Sequence, residues 1–215
     1  MSATGAPGTE PPPPHLRPTE DTTEDTTGDP VGAPVGDSGP PRLLTAEPLA
    51  TARLLLEPLR LAHAEEMAVV LSDPALYAFT GGSPEDAAAL RARYARVLAG
   101  APEPGVSWCN WVLRLRSDGR LAGYVQATVV PGNAPGAGTA EVAWVVGRPW
   151  QGRGLAAEAA RALVADLLGR PEVTAVVAHV HPGHAASAAV ARAAGLTPTA
   201  ERQGGEVKWL RVREP

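Results

Sequence analysis

The residues of this chain with the plainest chemical use are Gln151-Gly152-Arg153-Gly154-Leu155-Ala156, a glycine-bearing turn between an apolar run and an alanine-rich one. The run before it, Glu141 to Val146, is short, β-branched and aromatic, which reads as a strand. After it, Leu155, Ala159, Leu163 and Leu167 fall on one stripe of a helix. A helix that starts this way leaves its first N–H groups unpaired and carries about half a positive charge at that end, and glycines let a bulky anion reach the main chain. The chemistry suggested is the seating of a phosphate or diphosphate. The spacing does not fit the dinucleotide fingerprint, and a P-loop needs a lysine after its last glycine, whereas the only lysine here is Lys208. An ordinary strand-to-helix turn, with glycines for clearance, is the alternative reading of these six residues.

Other candidates for chemistry are fewer. His179, His181 and His184 lie close in sequence, but a zinc site needs further ligands and a dry surround that the sequence does not name. Packed or solvent-facing histidines, and no metal, are the expectation. Cys109 stands alone, so neither an intrachain disulfide nor a cysteine metal cluster can form.

A folded body must hold the turn, and composition marks where it begins. Met1 to Pro41 contains Pro11-Pro12-Pro13-Pro14, a Thr/Asp/Glu run from Thr19 to Asp29 and almost no large apolar side chain. Such a stretch cannot bury enough surface to offset the entropy of ordering it, so residues 1–44 are expected to be a disordered tail and 45–215 a single domain. Seven acids and one arginine give Met1 to Pro41 a charge of −6, against −4 for the whole chain, which leaves about +2 for the rest. That near-neutral balance, with no block of basic residues, speaks against a nucleic-acid partner. No apolar run is long enough to span a bilayer and no secretory leader is evident, so a cytoplasmic protein without a membrane partner is expected. The tail reads as a solubilising leader or as a partner-binding arm, the first being the plainer reading.

Along the domain, Arg53 to Leu59 reads as a strand, Ala62 to Leu71 as a helix, and Ser83-Pro84-Glu85-Asp86 as a capped helix start with Leu90, Tyr94, Val97 and Leu98 inward. Trp111, Leu113 and Leu115 alternate with polar residues, and Asp118-Gly119 predicts a tight turn into Leu121 to Val130, giving two antiparallel strands. The Glu141 strand, the helix Leu155 to Leu168 and a strand Val173 to Val180 make a right-handed βαβ unit with one parallel pair. A helix from Ala185 to Ala194 and a strand from Val207 to Val212 complete an α/β fold, a mixed central sheet with helices on both faces.

This order of elements, with the turn read as Q/R-x-x-G-x-G/A, resembles the GNAT superfamily of acetyl-CoA-dependent N-acetyltransferases. The resemblance is nearest to the ribosomal-protein N-terminal (Rim-type) branch. It is carried by Thr51-Ala52-Arg53-Leu54-Leu55-Leu56-Glu57-Pro58-Leu59, Ser72-Asp73-Pro74, Leu121-Ala122-Gly123-Tyr124, Trp150 to Ala156, and His181-Pro182 before the last helix. It implies that the parallel pair is splayed, that Gln151, Gly152, Arg153, Gly154, Leu155 and Ala156 bind the coenzyme pyrophosphate, and that Trp144, Val145 and Val146 line its pantetheine arm, the two valines through their main chain. Acetyl-CoA would be the cosubstrate and an amine the acceptor, attacked in a ternary complex.

Roles follow by position. Glu141 would deprotonate the amine, since alkyl amines are mostly protonated near neutrality; binding a cationic substrate, or standing in solvent at a strand end, are its other readings. Many family members carry a tyrosine acid on the last helix where this chain has Ala191, and the Rim-type branch uses a serine, here Ser187, to protonate the departing thiolate; a backbone hydrogen bond is the plainer role for such a serine. His184 also binds coenzyme in this reading, but it replaces an asparagine that caps the helix, a task expected to suit histidine less well. Among five tryptophans, Trp108 and Trp209 are candidates for the acceptor side. Alternatives are an aminoglycoside-type antibiotic N-acetyltransferase and a non-catalytic acyl-CoA sensor or partner-binding module. A homodimer through a sheet edge is left open.

Overall fold

The computed structural model describes residues 43–134 and 136–214. Most of the expected tail therefore lies outside the described residues. Of its last two residues, Leu44 donates its N–H to the Ser107 hydroxyl at 2.9 Å.

Eight strands form one mixed sheet: β1 (Leu49–Ala50), β2 (Leu54–Pro58), β3 (Ser107–Leu115), β4 (Leu121–Val130), β5 (Gly138–Val146), β6 (Val173–Val180), β7 (Thr197–Gln203) and β8 (Glu206–Val212), in the order β1-β2-β3-β4-β5-β6-β8-β7. Only β5 and β6 run parallel. The helices are α1 (Ala64–Val70), α2 (Ala87–Leu98), α3 (Leu155–Gly169) and α4 (Ala185–Ala193). This is the expected α/β architecture, with α3 as the crossover of the βαβ unit.

Cross-strand partners share a face, so register sorts the side chains into two sets. One face carries Cys109, Trp111, Val125, Ala127, Ala140, Val142, Val176 and Ala178, all buried. The expected stripe of α3, Leu155, Ala159, Leu163 and Leu167, is buried too, and the helix packs against β5 and β6. Its Asp166 and Arg170 lie near Cys109, whose thiol is pushed up to about 11 by burial, so the lone cysteine is an unreactive part of the core. The indole of Trp111 donates to the Glu47 carbonyl at 2.7 Å, which satisfies the one polar atom that this side chain would otherwise bury unpaired. Opposite lies a face bearing Trp108, Asn110, Tyr124, Gln126, Thr128, Glu141 and His179, all partly exposed, beneath α1 and α2.

Two expectations need correction. The start of α2 falls at Ala87 and not at Ser83, because Asp86 supplies the capping oxygen, accepting from the Ala89 N–H at 2.8 Å, while Glu85 reaches Arg93 at 3.0 Å. Leu98, read as inward, is exposed. Strand β7 was not foreseen: Thr-Pro-Thr-Ala-Glu-Arg-Gln carries no apolar alternation because, at the sheet edge, it covers nothing.

Candidate active site

The site is built around a fork. Strand β5 pairs with β4 from Val130↔Thr139 to Gly123↔Val146, but its last partner on β6 is Val177, opposite Glu141. From Val142 onward the two parallel strands part. Gly147 N–H donates to the Ala122 carbonyl and Gly138 N–H to that of Glu172, each at 2.9 Å, which fixes the alternation: odd positions of β5 turn their main chain to β4, even ones to β6. Within the fork, therefore, Trp144 and Val146 present N–H and C=O groups to the gap. Val145 is committed to Tyr124 on β4 and offers its main chain to nothing else. The pair expected to hold a ligand by its backbone is thus better placed as Trp144 and Val146. One of these groups is already used, since Gln151 Nε2 donates to the Val146 carbonyl at 2.9 Å and ties the turn to the strand.

At the open end of the fork stands the glycine turn. Gly152 and Gly154 sit at φ +71° and +74°, a region costly for any residue with a Cβ, and Gly154 is the N-cap of α3 without a capping side chain. Free N–H groups of the first turn of α3 are thereby left for an anion. Arg53, just before β2, braces this turn: Nη1 donates to the Arg153 carbonyl at 2.8 Å and Nε to Glu158 at 2.6 Å. Glu158 also accepts from the Thr51 hydroxyl at 2.6 Å and the Arg53 N–H at 2.8 Å; these bonds outweigh its burial and hold the carboxyl below its ordinary range.

Helix α4 enters from the β6 side. His184 caps it, its Nδ1 accepting from the Ser187 N–H at 3.0 Å, so the histidine does the work expected of an asparagine. An Nδ1 that accepts is unprotonated. Burial, helped by the nearby His181, lowers the His184 pKa and favours that form. Ser187 is partly buried, and among the described residues its hydroxyl makes no hydrogen bond. The ring of Phe79, from the segment between α1 and α2, meets His184 edge-on at 4.2 Å.

Glu141 lies at the vertex, its side chain 39% exposed and its Oε1 2.9 Å from His179 Nδ1. Trp108, Thr128, Glu141 and Val177 form one row across four strands on the same face. A cavity of about 470 Å³ opens beside Trp108 and Asn110, walled also by Leu44, Leu59, Val97 and Pro104. Trp209 is elsewhere. It is buried on the other face, beneath the Arg192 guanidinium, and takes no part in the site.

An acetyltransferase (GNAT) domain model matches residues 53–197, which include the fork, the turn and all of α4. The chain belongs to the GNAT acetyltransferases. Solved structures of the same fold include a GNAT-family acetyltransferase from Bacillus anthracis, 16% identical, covering 79% of this chain and 100% of that one with a TM-score of 0.63. Another is RimL, a ribosomal L7/L12 alpha-N-protein acetyltransferase in complex with coenzyme A, 18% identical, covering 77% of this chain and 98% of the other at a TM-score of 0.62. A third is AAC(6')-Ib in a complex that contains acetyl-CoA, 20% identical, with 74% and 92% covered and a TM-score of 0.60. No curated protein sequence matches the chain.

His179 is the histidine whose surroundings the sequence does not reveal. It was grouped with His181 and His184, yet the three have different partners: His179 meets Glu141, His181 Nδ1 accepts from the Gly183 N–H at 3.0 Å, and His184 caps α4. The signal was available only through register, since it takes the Glu141↔Val177 pairing to put His179 beside Glu141. Among the described residues no group of three or more His, Cys, Asp and Glu could hold a metal, and no helix is long and apolar enough to cross a membrane.

Proposed function

We propose that this protein is an N-acetyltransferase that moves the acetyl group of acetyl-CoA to a primary amine, by direct attack in a ternary complex. The observation that carries this reading is the fork: a strand with free main-chain groups leads straight to an uncapped helix start, and Glu141 stands where the strands divide. The pyrophosphate takes the N–H groups of Gly152 to Ala156, within the field of the α3 terminus and of Arg153. Pantetheine runs along Trp144 and Val146 as an added strand would, hydrogen-bonding to the unpaired edge. The neutral amine attacks the thioester carbon; a C–N bond forms, the C–S bond breaks, nitrogen loses a proton and the thiolate gains one, from Ser187 in this reading.

The acceptor reaches Glu141 from the polar face of the sheet, where Trp108 and Thr128 stand in the same row. Relatives in fold act on a ribosomal-protein N-terminus or hold paromomycin, so a protein N-terminus and an aminoglycoside belong in the same substrate panel. We place the reaction in the cytoplasm. Purified protein with acetyl-CoA and a panel of amines, followed by free thiol release, tests the proposal. Amine-dependent thiol is expected. Coenzyme binding with no thiol for any amine would mark the protein instead as an acyl-CoA sensor.

A further inference from the structure

We infer that His179, oriented by Glu141, is the group that takes the proton from the attacking amine; the inference rests on the transferase reading above. Nδ1 of His179 lies 2.9 Å from Glu141 Oε1. An ionised carboxylate has no proton to give, so the hydrogen in this contact belongs to Nδ1, and the lone pair of the neutral ring is therefore on Nε2. This is the orientation logic of a carboxylate–histidine dyad, in which the acid fixes the tautomer and stabilises the imidazolium that forms. Glu141 is thus a positioning residue and His179 the base.

The placement agrees with that division. His179 is the less exposed partner, its side chain 12% accessible against 39% for Glu141, and it sits on β6 past the last bridged pair, on the flank of the fork. The charged group facing it from β8 is Lys208, its cross-strand partner, whose ammonium is tied to Glu201 of β7 at 2.7 Å. Glu141 faces it from β5. Its ring is not recruited elsewhere, whereas the other two histidines of the cluster use their Nδ1 atoms on neighbouring backbone N–H groups. In the step itself the amine nitrogen bonds to the thioester carbon, its proton passes to Nε2, and the thiolate leaves; the imidazolium then returns the proton to solvent.

Two measurements test the assignment. With the best amine of the panel, His179→Gln is expected to lower kcat by about 10²–10⁴. The same variant should shift the pH–rate profile and keep the Kd for acetyl-CoA and the melting temperature. If His179→Gln retains most of kcat and an unchanged pH profile, Glu141 acts alone and the assignment is overturned. Long-range nitrogen–proton NMR of the wild-type imidazoles, which needs no turnover and no variant, should show neutral His179 protonated at Nδ1; protonation at Nε2 overturns it equally. A wild type that binds coenzyme but releases no thiol with any amine fails at the level of the transferase reading, whatever the tautomer.

Discussion

The two faces of the sheet are made by the same strands, read at alternate residues, and they differ in almost everything else. On one, Cys109, Trp111, Ala127, Ala140, Val176 and Ala178 are sealed. The other, in the same registers, carries Trp108, Asn110, Gln126, Thr128, Glu141 and His179, half-open to solvent. The difference teaches that stability and chemistry are divided by the period of two of a β-strand. Strand β5 contributes Ala140 and Val142 to the core and Glu141 to the site within three consecutive positions.

If that division is real, substitutions on the two faces should fail in different assays. Glu141→Gln should cost about 10²–10⁴ in kcat, whether the carboxylate is the base or orients it, and leave the melting temperature unchanged. A matching loss of stability would show that the polar face is structural. Trp111→Ala should do the reverse: a loss of about 3–5 kcal/mol in denaturant unfolding, from the cavity and from the Glu47 carbonyl left without its indole donor.

Gly123→Ala probes the seam between the faces. An added Cβ would stand 2.1 Å from the Val145 carbonyl oxygen, so β5 must move away from β4. The Kd for acetyl-CoA should rise at least as steeply as stability falls, and an unchanged Kd would detach the cradle from β5.

The smallest effect is expected at His184. Its pKa is depressed in the folded state, so folding favours the neutral ring; the cap's contribution is complete above the ordinary value of 6.5 and is lost as pH falls through the depressed one. His63, buried and likewise depressed, adds to the same slope. His184→Asn keeps a capping side chain that does not titrate, so its melting temperature should fall less than that of wild type between pH 7.5 and 5. Two parallel curves would mean that the ring nitrogen does not cap.

What the sequence displayed was whatever an element needs locally. The α3 stripe from Leu155 to Leu167, the Asp118-Gly119 hairpin and the glycine turn were legible because each is set by residues within a few positions of one another. Strand β7 was not, because an edge that covers nothing writes no apolar pattern. The site was half legible. Glu141 and the turn stood out through their neighbours, but the meeting of Glu141 with His179, 38 positions apart, depends on the register of a parallel pair, and which of Trp144 and Val145 turns its main chain to the gap depends on strand register as well. That His184 caps α4 depends on where one nitrogen points, which the residue type alone does not reveal.

Amide hydrogen exchange with and without acetyl-CoA reads the cradle directly. Protection should rise at Trp144 and Val146 and across Gly152 to Ala156, while Val145, already bonded to β4, should change little. Protection that appears elsewhere, or at Val145 and not its neighbours, would contradict the account of the fork as the coenzyme's seat.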